Sequence, residues 1–249
     1  RVAGCSNGLI ALYSSALFVL NPATRHQIYI DFPDDQKSLQ WRCWFGHVSS
    51  IDDYKIVALD SLTNDFWTFS FKSRKWSKTS KWLIIGGDMV GSSPRYGSMA
   101  QVDDSLYWPV DMSGWVGHMG TSIMELNLVS EELEFKPKVN NFVTEKGGYV
   151  NLFNLKGCLA LHTKSGDVWL LRQKDDWHSW EKVYSKVLKD VKLLYIYTTS
   201  KLVIRHLDQV KLVDDLSELA SAEKDDGGTT NNIKWNGVGD YHESLIWSF

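Results

Sequence analysis

The side chains able to carry chemistry are few and scattered. Asp52 and Asp53 form an adjacent carboxylate pair of the kind a metal ion or a general acid–base step would use. Neighbours along a strand point to opposite faces, however, which separates their oxygens, and a surface turn is the expected setting. Seven His occur with no HxH, HExxH or His/Cys grouping, so no metal site is expected, and a copper-radical oxidase site would lack its ligands. Gly86-Gly87-Asp88-Met89-Val90-Gly91 is loop glycine without the Lys-Ser/Thr that phosphate binding requires, and GxGxxG and GxSxG are absent. No catalytic residue and no cofactor are expected.

Twelve tryptophans are the most unusual feature of the composition. Trp67, Trp76, Trp108, Trp169, Trp180 and Trp247 fall in strand-like runs and read as core wedges. Trp41, Trp44, Trp82, Trp115 and Trp177 lie in or beside expected loops, where an indole either tucks back on the fold or anchors a partner.

The elements that would position these residues follow from pattern and composition. The 249 residues are 43% hydrophobic and 23% charged, an ordinary globular balance. A net charge of -3 provides no basic field for nucleic acid or an anionic membrane. Apolar runs such as Leu193 to Tyr197 are far shorter than the roughly 20 residues of a transmembrane helix. Three widely spaced Cys (Cys5, Cys43, Cys158) fit neither a disulfide framework nor a zinc site, and a cytoplasmic or nuclear setting is expected. The first residues, Arg1-Val2-Ala3-Gly4-Cys5, lack both Met and a signal pattern, as in a piece of a longer chain.

A hairpin signal recurs along the length. Leu9, Ile56, Leu106, Leu159 and Leu202 mark equivalent points, separated by 47, 50, 53 and 43 residues, a spacing close to that of propeller blades. Each hairpin is followed by further strands: 17–21 and 26–30, 66–71 and 75–77, 123–127 and 133–135, 168–172 and 180–183. Period-two alternation with β-branched and aromatic residues supports strands throughout. Only Asp214 to Lys224 reads as a short helix, and Ser221 to Asn232 as a polar loop. The expected fold is therefore all-β: one kelch-like β-propeller domain over 1–249 with five four-stranded units. Ile233 to Val238 and Tyr241 to Phe249 remain as strands at the end; Tyr241–Phe249 is expected to close the fold against its N-terminal side, either in the first blade or in an incomplete sixth.

Several segments together resemble the F-box associated domain of plant F-box proteins, the S-locus group included. The opening Gly4-Cys5-Ser6-Asn7-Gly8-Leu9 is similar to that family's first motif, and Asn21-Pro22-Ala23-Thr24-Arg25 to its Asn-Pro-x-Thr-Arg turn. Phe45-Gly46-His47 with Asp52-Asp53-Tyr54-Lys55-Ile56-Val57, then Ser70-Phe71-Lys72-Ser73-Arg74-Lys75-Trp76, and finally Tyr241-His242-Glu243-Ser244-Leu245-Ile246 follow in the family's order. Cys5 and Ser6 are exchanged relative to its pattern, and Met124-Glu125-Leu126 replaces its Phe-Asp-Leu. The resemblance implies a non-catalytic substrate receptor of an SCF-type ubiquitin ligase. Its target protein would bind this domain, and a Skp-type adaptor and cullin would bind through an F-box upstream of Arg1. A glycan- or small-molecule-binding propeller with exposed Trp is the alternative.

Propeller topology puts the loop between the second and third strands on the same side as the loops joining blades. Asp31 to Arg42, Lys78 to Ser98, Pro109 to Thr121, Pro137 to Gly148 and His162 to Gly166 would share that side. They hold the expected partner-binding residues Trp41, Arg42, Trp82, Arg95, Tyr96, Trp115, His118, Asn141 and Lys146. The other side has short turns, apart from Lys174 to Ser179 with Trp177 and His178.

Overall fold

A computed structural model describes residues 1–33, 41–60, 65–79, 99–111, 121–136, 150–163, 167–184, 191–196, 202–206 and 209–213. All its regular elements are strands. The first sheet holds β1 (Val2–Ser6), β2 (Leu9–Tyr13), β3 (Leu17–Asn21) and β4 (His26–Ile30), and the second β5 (Trp41–Val48), β6 (Asp53–Asp60), β7 (Phe66–Ser70) and β8 (Lys75–Lys78). The third is built from β9 (Ala100–Val102), β10 (Ser105–Asp111), β11 (Thr121–Asn127) and β12 (Leu133–Lys136), and the fourth from β13 (Val150–Leu155), β14 (Cys158–Thr163), β15 (Val168–Leu171) and β16 (Trp180–Tyr184). The fifth has β17 (Val191–Ile196), β18 (Leu202–His206) and β19 (Gln209–Val213).

Strands follow sequence order in every sheet, and neighbouring strands of the first, second, fourth and fifth sheets, like β9 and β10 of the third, pair antiparallel. This is the up-and-down meander of propeller blades, and the fold is all-β of the propeller type. The equivalent points Leu9, Ile56, Leu106, Leu159 and Leu202 all fall on the second strand of their sheets. Of the fifth unit, three strands fall among the described residues. The expected helix from Asp214 and the strands at Ile233 to Val238 and Tyr241 to Phe249 lie outside the described residues.

The chain divides into two compact units, Arg1–Ser93 with Leu126–Leu133 and Asn236–Phe249, and Pro94–Glu125 with Glu134–Trp235. In the first, alternate residues of β2 and β3 (Leu9, Ala11, Tyr13, Leu17, Val19) are buried with Trp41, Cys43 and Phe45 of β5 and Tyr54, Ile56 and Ala58 of β6. Each large apolar side chain so buried contributes about 1.5–3 kcal/mol. In the second, Ala100, Val102, Tyr107, Leu152, Leu159, Leu161, Trp177 and Trp180 form the corresponding core.

Short turns set the registers. Asn7 and Gly8 have φ of 48° and 78°, and Lys156 and Gly157 of 52° and 82°, the paired positive values of a two-residue hairpin turn whose twist matches the strands. Between third and fourth strands a different turn recurs. Asn21 Oδ1 accepts the Ala23 and Thr24 amides, Asn127 Oδ1 accepts those of Val129 and Ser130, and Ser70 Oγ accepts that of Ser73. Four residues after each acceptor comes a left-handed residue: Arg25, Glu131 and Arg74, with φ of 60°, 59° and 54°.

Gly4 is fixed by a neighbour rather than by its φ. A Cβ there would run into the carbonyl oxygen of Phe45, so the backbones of β1 and β5 approach as closely as they do only because no side chain intervenes. Gly4→Ala should therefore cost about 1–3 kcal/mol in urea unfolding, as overpacking does. Gly157→Asn, at a turn with nothing within 4 Å of a new Cβ, should stay within about 1 kcal/mol of the parent. Parental stability in Gly4→Ala would rule out the close approach.

Candidate functional site

The two adjacent carboxylates have opposite fates. Asp52 sits in a turn at φ 48° with its side chain 85% exposed and 3.0 Å from His47 Nε2. Asp53, the first residue of β6, is buried; Oδ2 accepts the Ser70 hydroxyl at 2.6 Å and Oδ1 the Lys72 amide at 3.0 Å. A surface turn thus describes Asp52 but not Asp53, whose two acceptors hold the β7–β8 turn in place. The pair shares no point at which a proton or metal ion would meet both.

Two residues further on, Lys55 is buried in a strand where every residue is buried. Its ammonium donates to the Leu128 carbonyl at 2.6 Å and to Glu131 Oε1 at 2.8 Å, and Glu131 Oε2 accepts the Ser77 hydroxyl at 2.5 Å. The turn between β11 and β12 is thereby clamped to β6 and β8. Sequence reasoning missed this clamp, although a signal existed. A single lysine inside Tyr54-Lys55-Ile56-Val57-Ala58-Leu59 is a charge in a run otherwise fit for a core strand, and such a charge requires a partner.

The second unit has its own polar cluster. Tyr107 donates to Glu125 Oε1 at 2.9 Å, while Lys136 lies 2.5 Å from Glu125 Oε2, 2.8 Å from Glu134 and 5.9 Å from the Trp177 ring centre. Burial would raise the Glu125 carboxyl, but hydrogen bonds from Lys136, Ser105 and Tyr107 outweigh it and hold the group below its usual value. Burial would likewise lower Lys136, and its bonds to Glu125 and Glu134 keep it above its usual value. Burial, then the Glu125 charge, pushes the Tyr107 hydroxyl well up. Burial does the same to the Cys43 thiol. Each shift moves a group away from neutral pH, the reverse of what a general acid, base or nucleophile needs. Among the described residues no cluster of His, Cys, Asp and Glu fits a metal ion.

Of the expected partner-binding residues, two are described. Trp41 belongs to β5, not to a loop; it is 3% exposed and stacks on Phe32 at 4.8 Å. As the first inward residue of a core strand it cannot be offered to a partner, which corrects the expectation. Arg42, next to it, points the other way and is exposed. Trp82, Arg95, Tyr96, Trp115, His118, Asn141 and Lys146 lie outside the described residues. Trp177 is buried too, stacked near Tyr107 and edge-on to Trp180, leaving His178 as the exposed member of that pair. Two half-buried indoles, Trp67 and Trp169, are covered by Lys78 and Lys182 at 5.3 and 5.0 Å. No described tryptophan is exposed as a sugar-stacking platform would need to be.

No family model matches the chain. It is similar to three Arabidopsis thaliana proteins: F-box protein CPR1 (28% identity over 257 residues, 86% of this chain and 60% of that one), F-box/kelch-repeat protein At3g23880 (24%, 74% and 52%) and F-box protein At4g22390 (24%, 74% and 52%). The chain thus spans between about half and three-fifths of the length of these relatives. Among solved structures it is similar to the extracellular domain of BT4673 from B. thetaiotaomicron, at 11% identity and a TM-score of 0.50 over 97% of this chain and 29% of that one. It also aligns with the Dos1 propeller at 10% identity and a TM-score of 0.46, covering 87% and 57%. The likeness to BT4673 concerns the fold alone.

Two measurements check the polar clusters. Asp53→Asn replaces one of two needed acceptors by a donor and should cost about 1–3 kcal/mol, whereas Asp52→Gly, at a left-handed exposed position, should change stability by less than about 1 kcal/mol. Equal effects would deny Asp53 its role. The Glu125 carboxyl titrates below its ordinary 4.5 when folded, so its stabilisation is complete above that pH and fades as the pH falls through the folded value. Lys136, raised above 10.5, contributes fully below that pH and loses its effect as the pH rises through its folded value. Glu125→Gln should accordingly flatten the decline of melting temperature below pH 4.5, and an unchanged acid limb would count against the network.

Proposed function

We propose that this chain is the target-recognition domain of an F-box protein, the substrate receptor of an SCF-type ubiquitin ligase. The observation that carries this reading is the similarity to Arabidopsis F-box proteins over 74% to 86% of the chain. Motif order supports it from the sequence side. In such a protein the F-box docks on a Skp-type adaptor and, through it, a cullin, while the propeller-type domain captures the protein to be ubiquitinated. This domain would then do no chemistry, in keeping with titratable groups held in their neutral-pH states. Its working place would be the cytoplasm or nucleus.

The target would dock on the long-loop side. Arg42, Arg95, Tyr96, Trp115 and His118 are its anchors, with Trp82, Asn141 and Lys146 around them. Arg and aromatic side chains combine contact area or forked hydrogen bonding with few lost rotamers, and truncating a true anchor costs about 2 kcal/mol or more. Trp41 leaves this set, because replacing a buried wedge unfolds rather than disarms.

The test uses the chain extended upstream of Arg1. The extended protein should co-purify with a Skp-type adaptor, and target proteins captured from native extract should be lost in Arg95→Ala, Tyr96→Ala or Trp115→Ala at unchanged melting temperature. Absence of adaptor binding overturns the ligase assignment. Adaptor binding with undiminished capture in all three variants moves the target site elsewhere.

A further inference from the structure

The first and second sheets present matching turns at one end. Arg1 Nη1 donates to the Trp41 carbonyl at 3.3 Å, and Gly4 packs on the carbonyl of Phe45. Residue numbers rise together through these two contacts, so β1 and β5 run side by side in the same direction. Each following strand reverses, which sets the turn between β3 and β4 at the same end as the turn between β7 and β8.

That end carries exposed positive charge. Arg25, Lys72, Arg74 and Lys75 all face solvent, and Arg25, Arg74 and Lys75 make no ion pair among the described residues. Lys72 donates to the Ile51 carbonyl at 2.5 Å, which leaves its charge uncompensated. The neighbouring acids are engaged elsewhere. Asp52 lies 3.0 Å from His47 Nε2, Asp53 accepts from Ser70 and Lys72, Glu131 is taken by Lys55 and Ser77, and Glu132 accepts the Ser130 hydroxyl at 3.1 Å. The two arginines hold equivalent left-handed positions, φ 60° and 54°. Asn or Gly would suit such a backbone better, and Glu131 serves the same place in the third sheet, so the turn itself does not call for arginine. A strained residue whose side chain the fold does not need points to work done outside it.

We propose that this end of the first unit is a second docking surface, one that takes a short, extended acidic segment of a partner protein. It lies at the opposite end of the strands from Arg42 and does not depend on the ligase reading. Packed sheets stand about 10 Å apart and an extended chain rises about 3.3 Å per residue, so carboxylates roughly three or more residues apart reach both turns. A guanidinium matches a carboxylate with two parallel hydrogen bonds. A long polyanion fits less well, because the chain as a whole carries -3 and repels charge that extends past the patch.

Fluorescence anisotropy of labelled hexaglutamate with the whole chain at low ionic strength tests this. The parent should bind, and affinity should fall as salt is added. Arg25→Asn and Arg74→Asn, which suit the left-handed backbone, should each weaken binding about two- to fivefold at unchanged melting temperature. With Lys75→Gln added, the triple variant should lose about tenfold or more. Lys156→Asn removes a charge from a left-handed turn position of the second unit and should leave the affinity unchanged. Carbodiimide should couple the peptide carboxylates to Lys72 and Lys75. A parent that does not bind overturns the proposal, as does equal weakening by Lys156→Asn or coupling confined to other lysines. Tighter binding of a single-stranded oligonucleotide of equal charge overturns the choice of an acidic segment.

Discussion

An ammonium group inside a protein is costly unless its hydrogen-bonding capacity is met, and much of the first unit is arranged around meeting it for Lys55. A strand whose other residues suit a dry core brings the charge in, and a turn more than seventy residues away in sequence supplies the Leu128 carbonyl and Glu131 carboxylate. The carboxylate is in turn held by Ser77 of β8. Apolar residues of similar volume would hold sheets together with less risk, so the gain here is in specificity: the turn must lie where the charge is, and no slipped arrangement satisfies it. Glu131 accepts a left-handed backbone, φ 59°, to reach that place.

The same turn exists twice more in the first unit, which shows how function separates from geometry. Arg25 and Arg74 occupy the left-handed position and make no ion pair among the described residues. The turn itself depends on Asn21, Ser70 and Asn127 accepting amides, not on the residue at positive φ. That residue is consequently available for other work, structural in the third sheet and facing solvent in the first two.

Much of this was legible in the sequence. Strand ends at Leu17–Asn21 and His26–Ile30 coincide with the reading because the Asn21-Pro22 turn separates two short runs of apolar, β-branched and aromatic residues. The blade period was legible because each second strand is an apolar run following a turn. The clamp was not: Glu131 looks like any surface acid until the third dimension puts Lys55 beside it. Trp41 misled for a related reason. It stands between a polar stretch and an apolar one, and its identity alone does not say whether the strand begins before or after it.

The distribution of charge bears on what kind of work the chain does. Glu125, Lys136 and Tyr107 are buried together, yet every bond among them stabilises the state each already has near neutral pH. Catalytic constellations do the opposite, setting like charges or apolar walls against a group until its proton is available at working pH. A cluster whose bonds all favour its members' neutral-pH states contributes rigidity to the sheets that hold it.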